Sequence, residues 1–453
     1  MSTEPLKALL ACPRCDRTPL DRTDASWRCP ACRVDYPSFD GIPWLFAEPQ
    51  AALGEWRGKL HFALRRLEQD QARLAQALAS KSIRDTTRHR LEAKAAALTA
   101  HLGQLQALLV PLQLEQLATE KATYLALRTR LPSDQGLTTY YNNVHRDWAW
   151  GAEENRASME IVSQLADNSF SGRMLVLGAG AGRLAYDLHM GSKVDTTIVL
   201  DFNPLLLLLA QRLTRGESVD LYEFPIAPKS LREQAVLRTL RADKPAREGL
   251  YYVLADAHRP PFPKECFDTI VTPWLIDILP ERFDSLCKRI NALLSADGRW
   301  INFGSLSFQN ADPALCYSRE ETLEVVAENG FAAPQTVETE IPYMCSPASR
   351  HGRRERVLAW CASKISKVKK TSRHEALPDW LVRGKDPVPA SEAFKMQAMS
   401  TRIHAFIMSL IDGRRSIQDM AAVLEEQRLM PREQAEPAIR AFLIKMHEDS
   451  QRM

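Results

Sequence analysis

The stretch Met174-Leu-Val-Leu-Gly178-Ala-Gly180-Ala-Gly182-Arg183-Leu constrains the fold more than any other. A short apolar run ends in three alternating glycines and passes into a helix-like segment, which reads as strand, tight turn and helix. Glycine permits left-handed backbone and close approach of a ligand, while the helix start presents amide groups to it. Taken alone, the turn suits a dinucleotide as readily as S-adenosylmethionine.

The segments that follow narrow the choice. Asp201 closes the strand-like TTIVLDFNP, where a carboxylate can accept both ribose hydroxyls of an adenosine. Asp256 closes YYVLADAHRPPF, where it can accept from the adenine amino group, with the Ala257 amide beside it. The segment CFDTIVTPWLIDIL then supplies a fourth strand and a loop next to the reacting methyl group. In this order the pieces imply a Rossmann-like class I methyltransferase domain of α/β class that binds S-adenosylmethionine through Gly178, Gly180, Gly182, Arg183, Asp201, Asp256 and Ala257. A nicotinamide-dependent dehydrogenase is the alternative, and each aspartate alone could simply cap a helix. Strands are expected at Met174–Leu177, Thr197–Asp201, Tyr252–Leu254, Thr269–Thr272 and Trp300–Phe303.

At 453 residues the chain is too long for one small core. Residues 1–48 carry CPRC, thirteen residues, then CPAC, so Cys12, Cys15, Cys29 and Cys32 form two knuckles suited to one structural Zn²⁺. Residues 51–133 are nearly free of glycine and rich in Ala, Leu, Gln, Arg and Glu, which predicts a helical hairpin with breaks near Ser80–Ser82 and Pro111. Strand-like and helix-like segments alternate over 137–365. A basic linker, 366–390, with a short strand at Trp380–Val382, leads to a helical domain at 391–453. A net charge of +3 gives no argument for nucleic acid. No apolar run of membrane-spanning length is read from the sequence, and the start lacks a signal-peptide pattern. Paired knuckles plus single cysteines fit a reducing, cytoplasmic setting.

Several of these segments resemble known families. LLACPRC with YPSFDGIPWLF is similar to the zinc-ribbon proteins that activate tRNA and release-factor methyltransferases by docking on the enzyme's sheet. HRDWAWGAEENRASMEIV, GAGAGRLAYDL, FDTIVTPWLIDIL and GRWINFGSLSFQ together resemble the carnosine N-methyltransferase family, over about residues 137–362. That resemblance implies N-methylation of an imidazole in a small molecule or peptide, with Asp277 holding the ring and Tyr343 contacting the substrate. Tyr140, Tyr141, Asn142 and Asn143 would form a lid with the RDW segment, and Arg146 would pair with the methionine carboxylate of the cofactor. Gln309 stands where the family has a substrate-binding histidine, Ser305 replaces a proline, and Arg350–Arg356 replaces a tyrosine-rich stretch before the last strand. These departures argue for a related imidazole or amine acceptor rather than carnosine itself. The arginines suit a solvated face or an acidic group on the substrate. The tail, with LIDGRRSIQDMAAVL, is similar to winged-helix-like PqqD domains, which implies a peptide or protein partner.

Overall fold

The computed structural model describes residues 4–23, 26–114, 137–279, 281–310, 312–369, 387–388, 390 and 392–452. They belong to two compact units, Met1–Thr371 and Ser372–Met453. The expected arm beyond residue 114, most of the linker and the strand at Trp380–Val382 lie outside the described residues.

The first unit opens with α1 (Glu4–Leu9) and the strands β1 (Asp21–Arg22), β2 (Ser26–Arg28), β3 (Asp35–Phe39) and β4 (Ile42–Pro43), paired in that order as an antiparallel sheet. Two long helices follow, α2 (Pro49–Ala79) and α3 (Asp85–Leu109), broken at the expected serines. Pro49 sits in the first turn of α2, where its missing N–H leaves no helical bond unmade. By length and composition α3 could cross a membrane. Leu98, Leu105, Leu108 and Leu109 are instead buried in the protein core, and α2 packs along it.

Next come α4 (Leu137–His145), a π-helical turn (Arg146–Trp150) and α5 (Ala152–Leu165). The alternating region then gives β5 (Ser171–Leu177), α6 (Arg183–Gly191), β6 (Lys193–Asp201), α7 (Pro204–Thr214), a hairpin of β7 (Ser218–Glu223) and β8 (Val236–Arg241), and β9 (Leu250–Leu254). It continues through β10 (Phe267–Pro273), α8 (Phe283–Leu293), β11 (Leu294–Gly304), α9 (Arg319–Glu328), β12 (Gln335–Tyr343) and β13 (Arg353–Ser363). All five expected strands are present, each longer than expected. The hairpin β7–β8 has no counterpart in the expected strands. Strand β13 begins at Arg353, so three of the four arginines in the cluster lie in the last strand itself rather than before it.

Seven strands form one sheet in the order β12-β13-β11-β10-β5-β6-β9. Strands β11, β10, β5, β6 and β9 run parallel, and β13 pairs antiparallel with both β11 and β12. Side chains alternate between two apolar layers: Met174 and Val176 join one, Leu175 and Leu177 the other. The helical arm covers the first layer; the cysteine-bearing domain covers the second through Leu6, Leu10, Trp27 and Tyr36. That domain also continues the sheet edge. Trp44 bridges Leu254 in parallel, and the Leu45 amide donates to the Leu254 carbonyl at 2.7 Å. An edge strand that would otherwise expose its ladder groups is thereby covered. Helix α7, Pro-Leu-Leu-Leu-Leu-Leu-Ala, is apolar on every side because strand β9 and the arm enclose it.

The second unit comprises α10 (Glu392–Ser409), α11 (Ile417–Glu426) and α12 (Arg432–Arg452) around Ile407, Leu410, Met420, Leu424 and Ile439. Ser416 caps α11 in a reciprocal box with Asp419. Among the described residues of this unit there is no strand.

Candidate active site

A cavity of about 590 Å³ opens at the carboxyl ends of the parallel strands, where α/β sheets bind ligands. Its floor is the glycine loop. Gly178, Gly180 and Gly182 all have positive φ, as the turn reading requires. A Cβ on Gly178 would strike Leu275, and one on Gly182 would crowd Ala210, whereas one on Gly180 would meet nothing within 4 Å. The first and third glycines therefore allow packing, and the middle one faces room for a ligand.

Asp201, at the end of β6, lines the cavity and is nearly sequestered from water. Its Oδ2 accepts the Gly180 amide and its Oδ1 the Asn203 amide, both at 2.8 Å. Burial pushes its carboxyl up to about 6 despite these amides. Each oxygen keeps a lone pair for a hydroxyl donor. Asp256 lies beyond β9 and accepts from His258 Nδ1 at 2.7 Å and the His258 amide at 2.9 Å. Burial works against the Asp256 carboxylate, but His258 overcomes it and holds the group below its usual range. Ala257 and His258 line the same wall.

Asp277 follows β10 in the TPWLIDIL loop and is buried against the cavity. Its Oδ2 accepts from the Ser305 hydroxyl at 3.0 Å and the Ser307 amide at 2.8 Å. Its Oδ1 takes no hydrogen bond from the described chain. Trp274, three residues earlier, holds a left-handed φ of 51°, a strained state for a bulky residue, and donates its amide to Phe303. Gly304 permits this, since a Cβ there would come within 3.0 Å of the Trp274 Cα. Tyr343 ends β12 with its ring 4.8 Å from Trp274 and 4.6 Å from the Arg353 guanidinium. Burial pushes its hydroxyl pKa up.

The RDW turn closes one side. Arg146 lines the cavity and pairs with Asp147 at 2.7 Å and Glu154 at 3.3 Å. Glu154 in turn accepts the Met344 amide at 2.9 Å, tying the turn to the end of β12. Trp148 Nε1 donates to Ala181 in the glycine loop at 2.8 Å. Of the expected lid, Asn143 lines the cavity, Tyr141 instead donates to the Tyr222 carbonyl, and the Tyr140 side chain lies outside the described residues.

Three expected residues are placed differently. Arg183 does not line the cavity: its guanidinium binds Asp187 one turn along α6 at 2.9 Å, donates to the Asp147 carbonyl at 3.1 Å and covers the Trp148 ring. Gly182 lies beneath the loop, packed against α7. Gln309 is exposed outside the cavity, because the chain after β11 is turned by Ser305 and Ser307 as they bind Asp277. Other residues were not foreseen. Phe46 from the cysteine domain and Ala52, Glu55, Trp56 and Lys59 from α2 line the cavity, and Trp56 lies 5.6 Å from Phe202. A tryptophan in a glycine-poor helix reads as core, so no signal marked it; His258, beside Asp256, could have been found in the ADAH sequence.

Away from the cavity, the four N-terminal cysteine sulfurs lie within 4.8 Å of one another, with separations such as 3.5 Å for Cys12–Cys32 and Cys15–Cys29. Four thiolates about 2.3 Å from a tetrahedral Zn²⁺ would sit about 3.8 Å apart, so the cluster fits a structural zinc. Burial disfavours the Cys29 thiolate, but the Cys32 and Ala31 amides bring its pKa down to about 7.

The family described as carnosine N-methyltransferase matches residues 133–366. No curated protein sequence matches the chain. Among solved structures, phosphoethanolamine N-methyltransferase 2 of Haemonchus contortus, in complex with S-adenosyl-L-methionine, aligns at 13% identity over 50% of this chain and 56% of that one, with a TM-score of 0.33. This chain thus spans little more than half of that protein. The N-methyltransferase NodS of Bradyrhizobium japonicum, in complex with S-adenosyl-L-homocysteine, aligns at 14% identity over 50% of this chain and 99% of that one, also at 0.33. With the family match covering half the chain and the glycine loop, strand order and acidic strand ends in place within it, the chain belongs to the carnosine N-methyltransferase family of S-adenosylmethionine-dependent methyltransferases.

Proposed function

We propose that the enzyme methylates an imidazole nitrogen of a histidine-derived small molecule or peptide. The observation that carries this reading is Asp277, fixed at Oδ2 by Ser305 and Ser307 and left with Oδ1 unclaimed at the cavity wall. A carboxylate so held accepts N–H from one imidazole nitrogen, and the other nitrogen then keeps its lone pair for attack. Tyr343 and Trp274 provide aromatic surface for the ring.

Bound S-adenosylmethionine supplies an electrophilic methyl group. Asp201 is suited to its ribose hydroxyls, the Asp256–Ala257 segment to its adenine, and Gly180 leaves space for it. Phe202, Trp56 and Phe46 give that end of the cavity an aromatic wall. Arg146, already engaged by two acids, has guanidinium donors remaining for the cofactor's carboxylate. Positioning, rather than covalent participation, supplies the acceleration.

Asp277→Asn tests the reading with a panel of imidazole compounds and labelled methyl donor. Methylation should fall by about 10²-fold or more while cofactor affinity stays within about twofold. Undiminished turnover of every imidazole acceptor would remove Asp277 from the site.

A second reading places the acceptor histidine in a peptide recruited by the C-terminal unit. It is favoured by the apolar Met396, Met399, Met408 and Ile411, which stand exposed on α10 and just after it.

A further inference from the structure

A second recess, of about 430 Å³, adjoins the catalytic cavity. Lys229, Arg350, His351, Arg353 and Arg354 line it, and among the described residues no aspartate or glutamate does. Arg353 belongs to both spaces, with its guanidinium over the Tyr343 ring on the catalytic side.

The recess is held by a frame of backbone bonds. Residues 227–229 run antiparallel to 348–350: the Arg350 amide donates to Ala227 at 2.7 Å, the Lys229 amide to Ala348 at 3.1 Å, and Pro228 bridges Ser349. The Ser349 hydroxyl accepts the His351 amide at 3.0 Å. Lys229 Nζ donates to the Pro347 carbonyl at 2.7 Å and Arg350 Nη1 to the Lys229 carbonyl at 3.0 Å, which fixes both cations at the rim. Nearby acids compensate only the arginines of β13. Glu355 pairs with Arg353 at 2.7 Å, and Glu340 with Arg354 at 3.7 Å and Arg356 at 2.9 Å. Lys229 and Arg350 have no acidic partner among the described residues. Uncompensated cations anchored by carbonyl groups, with donors to spare, suit a charge-assisted contact to an oxyanion.

We propose that this recess binds an anionic group, carboxylate or phosphate, carried by the methyl acceptor. The acceptor ring lies at Asp277, and its acidic arm passes Tyr343 and Arg353 to reach Lys229 and Arg350. The proposal rests on the imidazole reading of the catalytic cavity and adds a required charge to the substrate.

The test compares paired acceptors: N-acetylhistidine with its amide, and histidinol phosphate with histidinol. The pairs separate a carboxylate source from a phosphate source. At least one member bearing the anionic group should show a KM about tenfold or more below that of its partner without it, with similar kcat. Lys229→Gln with Arg350→Gln should bring the two KM values together. Arg354→Glu, which breaks no bond to the frame, should do so in part, and guards against a folding defect in the double variant. Equal KM values within both pairs, or a preference that survives the double variant, would overturn the recess. Inorganic phosphate, titrated calorimetrically into protein loaded with S-adenosylhomocysteine, tests the recess without any imidazole. It should bind about tenfold more weakly to the double variant, and unchanged binding overturns the proposal. Phosphate binding that depends on both residues, with no imidazole compound turned over, overturns the imidazole reading and leaves the anion site standing.

Discussion

Asp201 shows how one carboxylate can serve fold and cofactor together. Its two amide bonds shape the glycine loop, and burial has raised its pKa to about 6. Ribose hydroxyls donate best to the ionised form, so cofactor affinity should fall as pH drops below about 6, by at most tenfold per unit for one proton. Calorimetric titration from pH 8 to 5 checks this; the curve for Asp201→Asn should be flatter. At Gly180 the backbone φ of 58° would cost alanine about 1–2 kcal/mol, and its methyl group would enter the ligand space. Gly180→Ala should therefore weaken cofactor binding by about tenfold or more in the same titration. Ser305 is a positioning residue. Loss of its hydroxyl removes one of two donors to Asp277, worth about 1 kcal/mol, so Ser305→Ala should lower kcat/KM about fivefold without altering cofactor affinity. Asp201 and Asp256 are legible as site candidates because each closes a strand in an ordered series, whereas Asp277 is legible only through the family resemblance. Arg183 stands off the cavity wall because Asp187, one helical turn on, and the Asp147 carbonyl claim its guanidinium, a meeting that sequence alone does not show.

At the scale of elements, the helical arm and the cysteine domain change meaning most. The arm looks like an appendage in the sequence, yet α2 contributes Trp56 and Lys59 to the cavity; the cysteine domain, whose resemblance implies docking on the sheet, also contributes Phe46 from the segment after β4. Trp44 and Leu45 join that segment to the end of β9, one residue before Ala255 and two before Asp256. Removing the metal by chelation, or Cys12→Ser with Cys29→Ser, should thus lower the melting temperature by several degrees and weaken cofactor binding as well. Melting curves and binding titrations on the same samples test the coupling; a lower melting temperature with unaltered binding would restrict the cysteine domain to a structural role. The arm docks through α3, where buried His101 meets Tyr141 and Phe224, and Tyr141 meets His145. Burial lowers the two histidine pKa values to about 4 and about 3. Both lie below the unfolded value of about 6.5, so the stability of the neutral pair is complete above that pH and is lost as pH falls toward 4. Each contributes a slope of up to about 1.4 kcal/mol per pH unit. Denaturant melts between pH 7 and 4.5 should show a shallower decline for His101→Leu with His145→Phe.

Considered as a whole, the chain places the glycine loop, Asp201, Asp256, Asp277 and the basic recess in the first unit, Met1–Thr371. A protein truncated after residue 369 should methylate a small imidazole acceptor at near the full-length rate. If the peptide reading holds, it should lose peptide turnover selectively, which mass spectrometry of paired reactions would reveal; equal peptide turnover by both forms would dismiss recruitment by the helical unit. By itself the sequence determined where the five parallel strands fall along the chain, the glycine turn and the four-cysteine cluster. Those features depend on local chemistry: alternation of apolar residues, glycines at positive φ, and paired thiols at short spacing. Tertiary structure alone decided which residues share the cavity wall. Trp56 and Phe202 are far apart along the chain, as are Asp277 and Ser305 or Lys229 and Arg350, and each pair meets only because the sheet and its covering layers fold them together. No local pattern encodes such meetings, since their stability comes from burial and hydrogen bonding that exist only once the long-range contacts have formed.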